Sequence, residues 1–292
     1  MLVNPLPWLR AAQRGGYAVG AFNANTLEQI QAIVSAADAE RAPVIIQISR
    51  RALQYAGLGD ARLGLRYIVA IAQVAANSVA VPVALHLDHG DEADVLLALE
   101  LGFTSVMFDG GELPLAENIA ATARLCRAAH AAGAAIEAEL GEVPRLNAAG
   151  EADAGALTRP EEVAAFVAAT DIDTLAVAIG SVHAARQKEM QLDLPRLAAI
   201  RAAVDAPLVL HGSSGVTDAS LAEGIRLGLC KVNIATQLNQ AFSAAVRAAL
   251  AADEREIDPR RYLGLGRAAM AGQVAERIRV LGSAGKAAAG PG

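Results

Sequence analysis

The sequence predicts a single (β/α)8 TIM barrel, with a helix ahead of the first strand and an extra helix after the last unit. Three observations carry this. Strand-like and helix-like segments alternate eight times with no linker-like break. The strand-like segments are near-continuous Val/Ile/Leu runs, as strands buried on both faces of a parallel sheet should be. Chemistry-bearing residues recur where those runs stop, at the strand ends where barrel enzymes keep their sites. A doubly wound open sheet shares the first two features, because strand count does not prove closure.

Composition agrees. Of 292 residues, 54% are hydrophobic, enough for a large core, and the chain is rich in Ala and poor in aromatics. With 25 Lys+Arg against 31 Asp+Glu the formal charge is −6, which gives no basic field for nucleic acid but leaves room for a local phosphate site. No uncharged apolar run approaches the roughly 18 residues of a membrane span. Pro5, Pro7, Arg10 and Arg14 stand where a signal peptide needs an unbroken apolar core. Cys126 and Cys230 lie in apolar surroundings without metal spacing, so they read as reduced core thiols of a cytoplasmic protein.

Taken in order, residues 4–14 read as a short helix and Tyr17–Phe22 as the first strand. Thr26 caps a helix with Leu27, Ile30, Ile33 and Val34 on one face. Pro43–Ile48 is the second strand, closing on Ser49, Arg50 and Arg51, and a helix over 61–77 follows. Val81–Leu87 is the third strand, Asp91–Leu101 helix, Thr104–Phe108 strand, and Pro114–Ala132 a helix with Pro in its first turn. After the fifth strand, Ala134–Leu140, the segment Gly141–Thr158 has no periodicity and reads as a functional lid or a disordered loop. Then come helix 160–169, strand 174–179, helix 194–204, strand 207–210, a helix capped by Thr217, strand 230–234, and helix 236–251. Asp258-Pro259 opens a last helix to about residue 281. One domain therefore spans 1–281, and the Gly/Ala/Pro-rich 282–292 reads as a flexible tail.

Of five histidines, three stand at strand ends: His89, His183 and His211. One such residue is usually an ordinary polar group, but a barrel would bring all three together, and three His with an open fourth position is a catalytic zinc arrangement. Asp109 and Glu139 end the fourth and fifth strands in the same way. With Asp88 they make the mouth acidic unless a cation is present. His86 lies within its strand and reads as a core residue or one packed behind the site; His130, on a helix, reads as exposed. His211-Gly-Ser-Ser-Gly215 joins a strand to a helix in unit seven, with glycine backbone and serine hydroxyls suited to an anion. Asn233-Ile-Ala-Thr236 offers the second half of a phosphate seat in unit eight.

These residues carry a resemblance. His86-Leu-Asp-His-Gly90, Ser105–Asp109, Glu137-Ala-Glu-Leu-Gly141, Ala178–His183, His211–Gly215 and Lys231–Thr236, in this order, resemble the class II (zinc-dependent) ketose-bisphosphate aldolases of the fructose- and tagatose-bisphosphate type. The resemblance runs from Gly16 to Leu263. It implies Zn2+ on His89, His183 and His211, with Asp109 and Glu139 as alternative or second-metal ligands. It implies a metal-stabilised enediolate of dihydroxyacetone phosphate, with Asp88 giving a proton to the aldehyde oxygen in condensation and removing it in cleavage. It puts one phosphate on Gly212, Ser213, Ser214, Asn233, Ile234, Ala235 and Thr236, and brings Ser49, Arg50 and Arg51 toward the other. A glycolytic, cytoplasmic lyase acting as a dimer or tetramer is the corresponding expectation.

The chain departs from the family pattern in places. Ala184 replaces a glycine whose backbone contacts phosphate and a monovalent cation, a swap that requires a negative or mildly positive φ. Ala185-Arg-Gln187 lacks the usual continuation. The loop lacks the family's Gly-Gly-x-Glu-Asp run: an ungapped match puts Asn147 where the proton-abstracting Glu stands, and Glu142, Glu151 or Asp153 are its substitutes. Ala235 leans toward the tagatose-type members. Two other readings stay open: an enzyme with altered donor or acceptor, and a non-catalytic sugar-phosphate-binding subunit.

Overall fold

The computed structural model describes residues 1–111, 113–144, 155–185 and 187–287. Eight parallel strands close into a barrel in sequence order: β1 (Val19–Asn23), β2 (Val44–Ser49), β3 (Val83–Gly90), β4 (Ser105–Phe108), β5 (Ala135–Leu140), β6 (Thr174–Val177), β7 (Leu208–Leu210) and β8 (Leu229–Ile234). Closure is explicit in the register, with Val19 opposite Lys231 and Phe22 opposite Ile234. The open-sheet alternative is thereby excluded.

Outside the strands lie α1 (Leu6–Gly15), α2 (Leu27–Ala39), α3 (Arg50–Ala56), α4 (Ala61–Asn77), α5 (Glu92–Leu101), α6 (Leu115–Ala131), α7 (Pro160–Thr170), α8 (Leu194–Ala203), α9 (Asp218–Arg226), α10 (Thr236–Ala252) and α11 (Pro259–Val280). Many start on side-chain caps: Thr26, Asp60, Asp91, Asp193, Thr217 and Asp258 each accept a first-turn amide. Helix α3 is an addition to the expected pattern. Ser49 caps it by accepting the Ala52 amide, and Arg50 and Arg51 form its first turn.

Outward strand residues such as Ile46, Leu85, Val106 and Ile136 pack with the helix faces into one continuous core. At the N-terminal end, α1 closes the barrel with Trp8, Leu9 and Ala12 against Tyr17, Ile45, Ala84 and Cys230. Both cysteines are free and buried, and burial pushes each thiol up to about 12. The segment expected as a tail is held through Ala287: the Gly285 and Ala287 amides donate to the carbonyls of Glu40 and Arg41, each at 2.8 Å. Among the described residues, no helix is long and apolar enough to cross a membrane.

Candidate active site

Strand alternation turns a set of polar side chains into the barrel. His86 and Asp88 on β3, Glu137 and Glu139 on β5, and Lys231 and Asn233 on β8 are each two residues apart and all buried. Alternation alone would send His89 outward. Two backbone features re-aim it: the β3–β4 register shifts between Leu87 and Gly90, and His89 takes φ +55°. A bulge with a left-handed residue at a strand end is a common way of redirecting a side chain into a site. His211 follows directly on β7, while His183 lies six residues past the end of β6, on the loop above it.

The three imidazoles converge, with one ring nitrogen from each lying within 4.8 Å of the others. Ring centroids are 5.1, 5.9 and 6.0 Å apart. The hydrogen-bond network assigns the protons. His89 Nδ1 donates to Asp109 Oδ2 at 3.0 Å, and His211 Nε2 donates to Glu137 Oε1 at 2.8 Å. The remaining nitrogens, His89 Nε2 and His211 Nδ1, face each other at 3.2 Å. In neutral rings both are lone pairs. Such an arrangement calls for positive charge between them.

The carboxylates say the same. Asp88 Oδ1 lies 3.8 Å from His89 Nε2 and Glu139 Oε2 lies 3.7 Å from His211 Nδ1. Both oxygens are buried without a hydrogen-bond donor among the described residues. Burial tends to pull the His89 imidazole down, but Asp109, Asp88 and Glu139 together raise it to about 9. The mouth thus favours a cation, and three nitrogens with neighbouring carboxylate oxygens fit a divalent metal.

Asp88 is held from behind. Asn23 donates to its Oδ2 at 2.9 Å, and Gln47 donates to Asn23 Oδ1 at 3.1 Å. Burial pushes this carboxyl up, yet His89, His211 and the Asn23 amide outweigh it and bring it down to about 2. Glu139 differs, its carboxyl being raised by burial, while its Oε1 accepts the Val143 amide at 3.0 Å.

A profile described as "Fructose-bisphosphate aldolase class-II" matches residues 3–286. The chain belongs to this family. A fructose-bisphosphate aldolase of Streptococcus pyogenes serotype M3 is 42% identical over 301 residues, covering 98% of this chain and 99% of that one. One from Thermus caldophilus is 42% identical over 314 residues, covering 98% and 100%. Among solved structures, the YdjI aldolase from Escherichia coli K12 superposes with a TM-score of 0.82 at 31% identity, covering 98% and 100%. A putative fructose-1,6-biphosphate aldolase from Coccidioides immitis gives 0.84 at 33%, covering 97% of each chain.

The protein is therefore an aldolase, a carbon–carbon lyase of a family that is generally metal-dependent and acts on sugar phosphates, and the His triad is where this class II member can hold its ion. Beside the triad, Ser213 and Ser214 form a short 3-10 turn after Gly212. Ser213 Oγ donates to the Asn233 carbonyl at 2.5 Å, joining units seven and eight. Gly212 takes φ +63°, and a Cβ there would meet the Val182 backbone at 2.8 Å. Ala184 takes φ +66°, so this aldolase keeps a left-handed backbone at that position without glycine. At the start of α10, Ala235 caps through no side chain, and Thr236 begins the helix.

Other expected residues fare differently. Ser49 is opposite Asp88 in the β2–β3 register, with its hydroxyl accepting the Ala52 amide. The Arg50 guanidinium is taken by Asp91 at 2.8 Å and Asp94 at 3.3 Å on the α5 side. Glu142 is exposed, whereas Asn147, Glu151 and Asp153 lie outside the described residues. His130, exposed as expected, pairs with Asp173 at 3.1 Å. Sequence reasoning gave no role to Asn23, Gln47, Glu137 or Lys231. The available signal was a charged or amide residue inside a strand that is otherwise apolar.

Proposed function

We propose that this aldolase cleaves and forms a ketose 1,6-bisphosphate of the fructose or tagatose type, yielding dihydroxyacetone phosphate and an aldehyde. The observation that carries the reading is the pair of facing imidazole nitrogens, His89 Nε2 and His211 Nδ1, with His183 and the Asp88 carboxylate alongside. His89, His183 and His211 would hold a zinc-type divalent ion. Asp109 and Glu139 are candidates as alternative or second-site ligands. When bound, the ion supplies a Lewis acid that draws charge onto the ketone oxygen and acidifies the neighbouring C–H.

The protein's own groups do the rest. Asp88, ionised at neutral pH and oriented by Asn23, takes the proton of the hydroxyl on the carbon that becomes the aldehyde. In condensation it returns that proton to the aldehyde oxygen. Gly212, Ser213 and Ser214, with Asn233–Thr236, would seat the phosphate of the three-carbon half. Ala184 would contribute its backbone to the same phosphate, where a monovalent cation could also be held. Ser49 would face the second phosphate. The base that removes the C–H proton belongs to the 141–158 segment. A cytoplasmic, glycolytic homo-oligomer, with residues 1–281 as its catalytic domain, goes with this reading.

The test is release of dihydroxyacetone phosphate from fructose and tagatose 1,6-bisphosphates, before and after chelation. Activity should disappear with chelator and return with Zn2+; turnover indifferent to chelator contradicts the metal reading. Asp88→Ala should retain metal and lose about 10²–10⁴-fold in rate, and normal turnover in that variant would remove Asp88 from its role. Ala184 in place of glycine favours a wider panel of ketose phosphates, since altered phosphate contact is where specificity would drift.

A further inference from the structure

Behind the imidazole cluster lies a buried ion pair that the chemistry above does not use. Glu137 and Lys231 are each 1% exposed, with Oε2 and Nζ 2.9 Å apart. Glu137 Oε1 is the acceptor for His211 Nε2, and the Thr174 hydroxyl donates to Oε2 at 3.3 Å. Lys231 also donates to Asn233 Oδ1 at 2.9 Å and reaches His86 Nε2 at 3.5 Å. The other nitrogen of His86 meets the Ser105 hydroxyl at 2.7 Å. A buried pair of this kind is a poor source of stability, because desolvating two ions offsets much of their attraction. It is well suited to fixing orientation.

Donor and acceptor inventories make the point. An ionised carboxylate only accepts, so Glu137 accepts a hydrogen bond from a protonated His211 Nε2. That leaves the lone pair on Nδ1, the nitrogen turned to His89. An ammonium only donates, so Lys231 holds Glu137 in its accepting state and grips Asn233 at the same time. We propose that the Glu137–Lys231 pair is a positioning device: it fixes His211 as the Nε2–H tautomer with Nδ1 presented to the metal position, and ties the Asn233 side chain to the same cation. Its consequence for metal rests on the proposed metal site; the tautomer itself does not.

Glu137→Gln tests the device while keeping the shape. Because Lys231 only donates, the amide must turn its oxygen to Lys231 and its NH2 to His211. His211 then accepts at Nε2 and carries its proton on Nδ1. Adding Lys231→Met frees the amide to turn its oxygen back to His211. The measurement is 15N NMR of the histidine rings in the full chain stripped of metal, with the rings neutral, followed by competition titration with Zn2+.

The wild-type chain should show a protonated Nε2 on His211. Glu137→Gln should show a protonated Nδ1 and lose about 10–100-fold in zinc affinity. The double variant should regain the wild-type tautomer and most of the affinity. A merely structural role moves stability but leaves the tautomer in place. A wild-type His211 protonated on Nδ1 overturns the proposal, as does a Glu137→Gln chain whose His211 tautomer is unchanged, whatever its zinc affinity. If Glu137→Gln does not fold, the wild type and the double variant decide, and a double variant protonated on Nδ1 overturns the proposal. A wild-type chain with the expected tautomer that binds no zinc leaves positioning intact and removes the metal reading instead.

Discussion

The Asn23 side-chain amide donates to Asp88 Oδ2 at 2.9 Å, across the barrel mouth from β1 to β3. Gln47 holds Asn23 in turn, so the orientation of the proposed acid–base carboxylate is set by a chain of amides rather than by solvent. A hydrogen bond to a charged group contributes about 1.5–3 kcal/mol. Asn23→Ala should therefore cost about 10- to 100-fold in kcat/KM. It should also move the acidic limb of the pH–rate profile upward, because one of the groups holding Asp88 near 2 is gone. Steady-state kinetics across pH check both; an unmoved limb with unchanged kcat/KM contradicts the assignment.

Asp218, at the start of α9, accepts Arg277 Nη1 at 2.7 Å and Lys188 Nζ at 2.9 Å. The Arg277 side chain is only 4% exposed, against 47% for Asp218. Burial nudges the Asp218 carboxyl up, but its two cationic partners bring it below the ordinary value. A depressed carboxylate stabilises the fold above its unfolded pKa, and that stability is lost as pH falls through the folded one. Asp218→Asn should destabilise the protein by about 1–2 kcal/mol at neutral pH, with solvent screening at the half-exposed carboxylate keeping it low. In strong acid the gap between variant and wild type should close. Urea titrations at neutral and acid pH measure it.

At Ala184, φ +66° costs an ordinary residue about 1–2 kcal/mol. Replacing it by glycine relieves that strain but returns about 0.4–1 kcal/mol of unfolded-state freedom. The two nearly offset, so Ala184→Gly should change stability by about 1 kcal/mol at most. Its effect should appear instead in KM for the phosphorylated ketose. A thermal scan beside a KM determination separates the two.

Gly212 leaves no such latitude. Its φ is +63°, and a Cβ would collide with the Val182 backbone at 2.8 Å. Gly212→Ala should lose at least about 1 kcal/mol from φ alone. It should also raise KM, since the Val182–His183 loop and the serine turn must part. Unchanged KM and melting temperature would show that the loop yields freely.

The barrel was readable because parallel strands and amphipathic helices write themselves as period and composition. Thr26 and Thr217 mark helix starts by their capping chemistry, and residues 61–77 agree end for end with α4. His211 and Asp88 were readable because they stand where apolar runs stop. His89 was singled out, but its inward aim was not predictable from alternation, since a register shift and a positive φ reverse its face. Helix α3 is not legible in the sequence, because Ser49 ends an apolar strand run and shows its second role, as a helix cap, only in the structure. Glu137 and Lys231 passed without a role because a buried ion pair joins β5 to β8, two strands far apart along the chain.

The central claim is that one divalent ion sits among His89, His183 and His211. Anomalous diffraction at the zinc edge from crystals grown with Zn2+ tests it most directly. The account predicts one strong peak per chain within bonding distance of a nitrogen of each ring, absent in His211→Ala. A peak elsewhere, or undiminished zinc in His211→Ala, would contradict it.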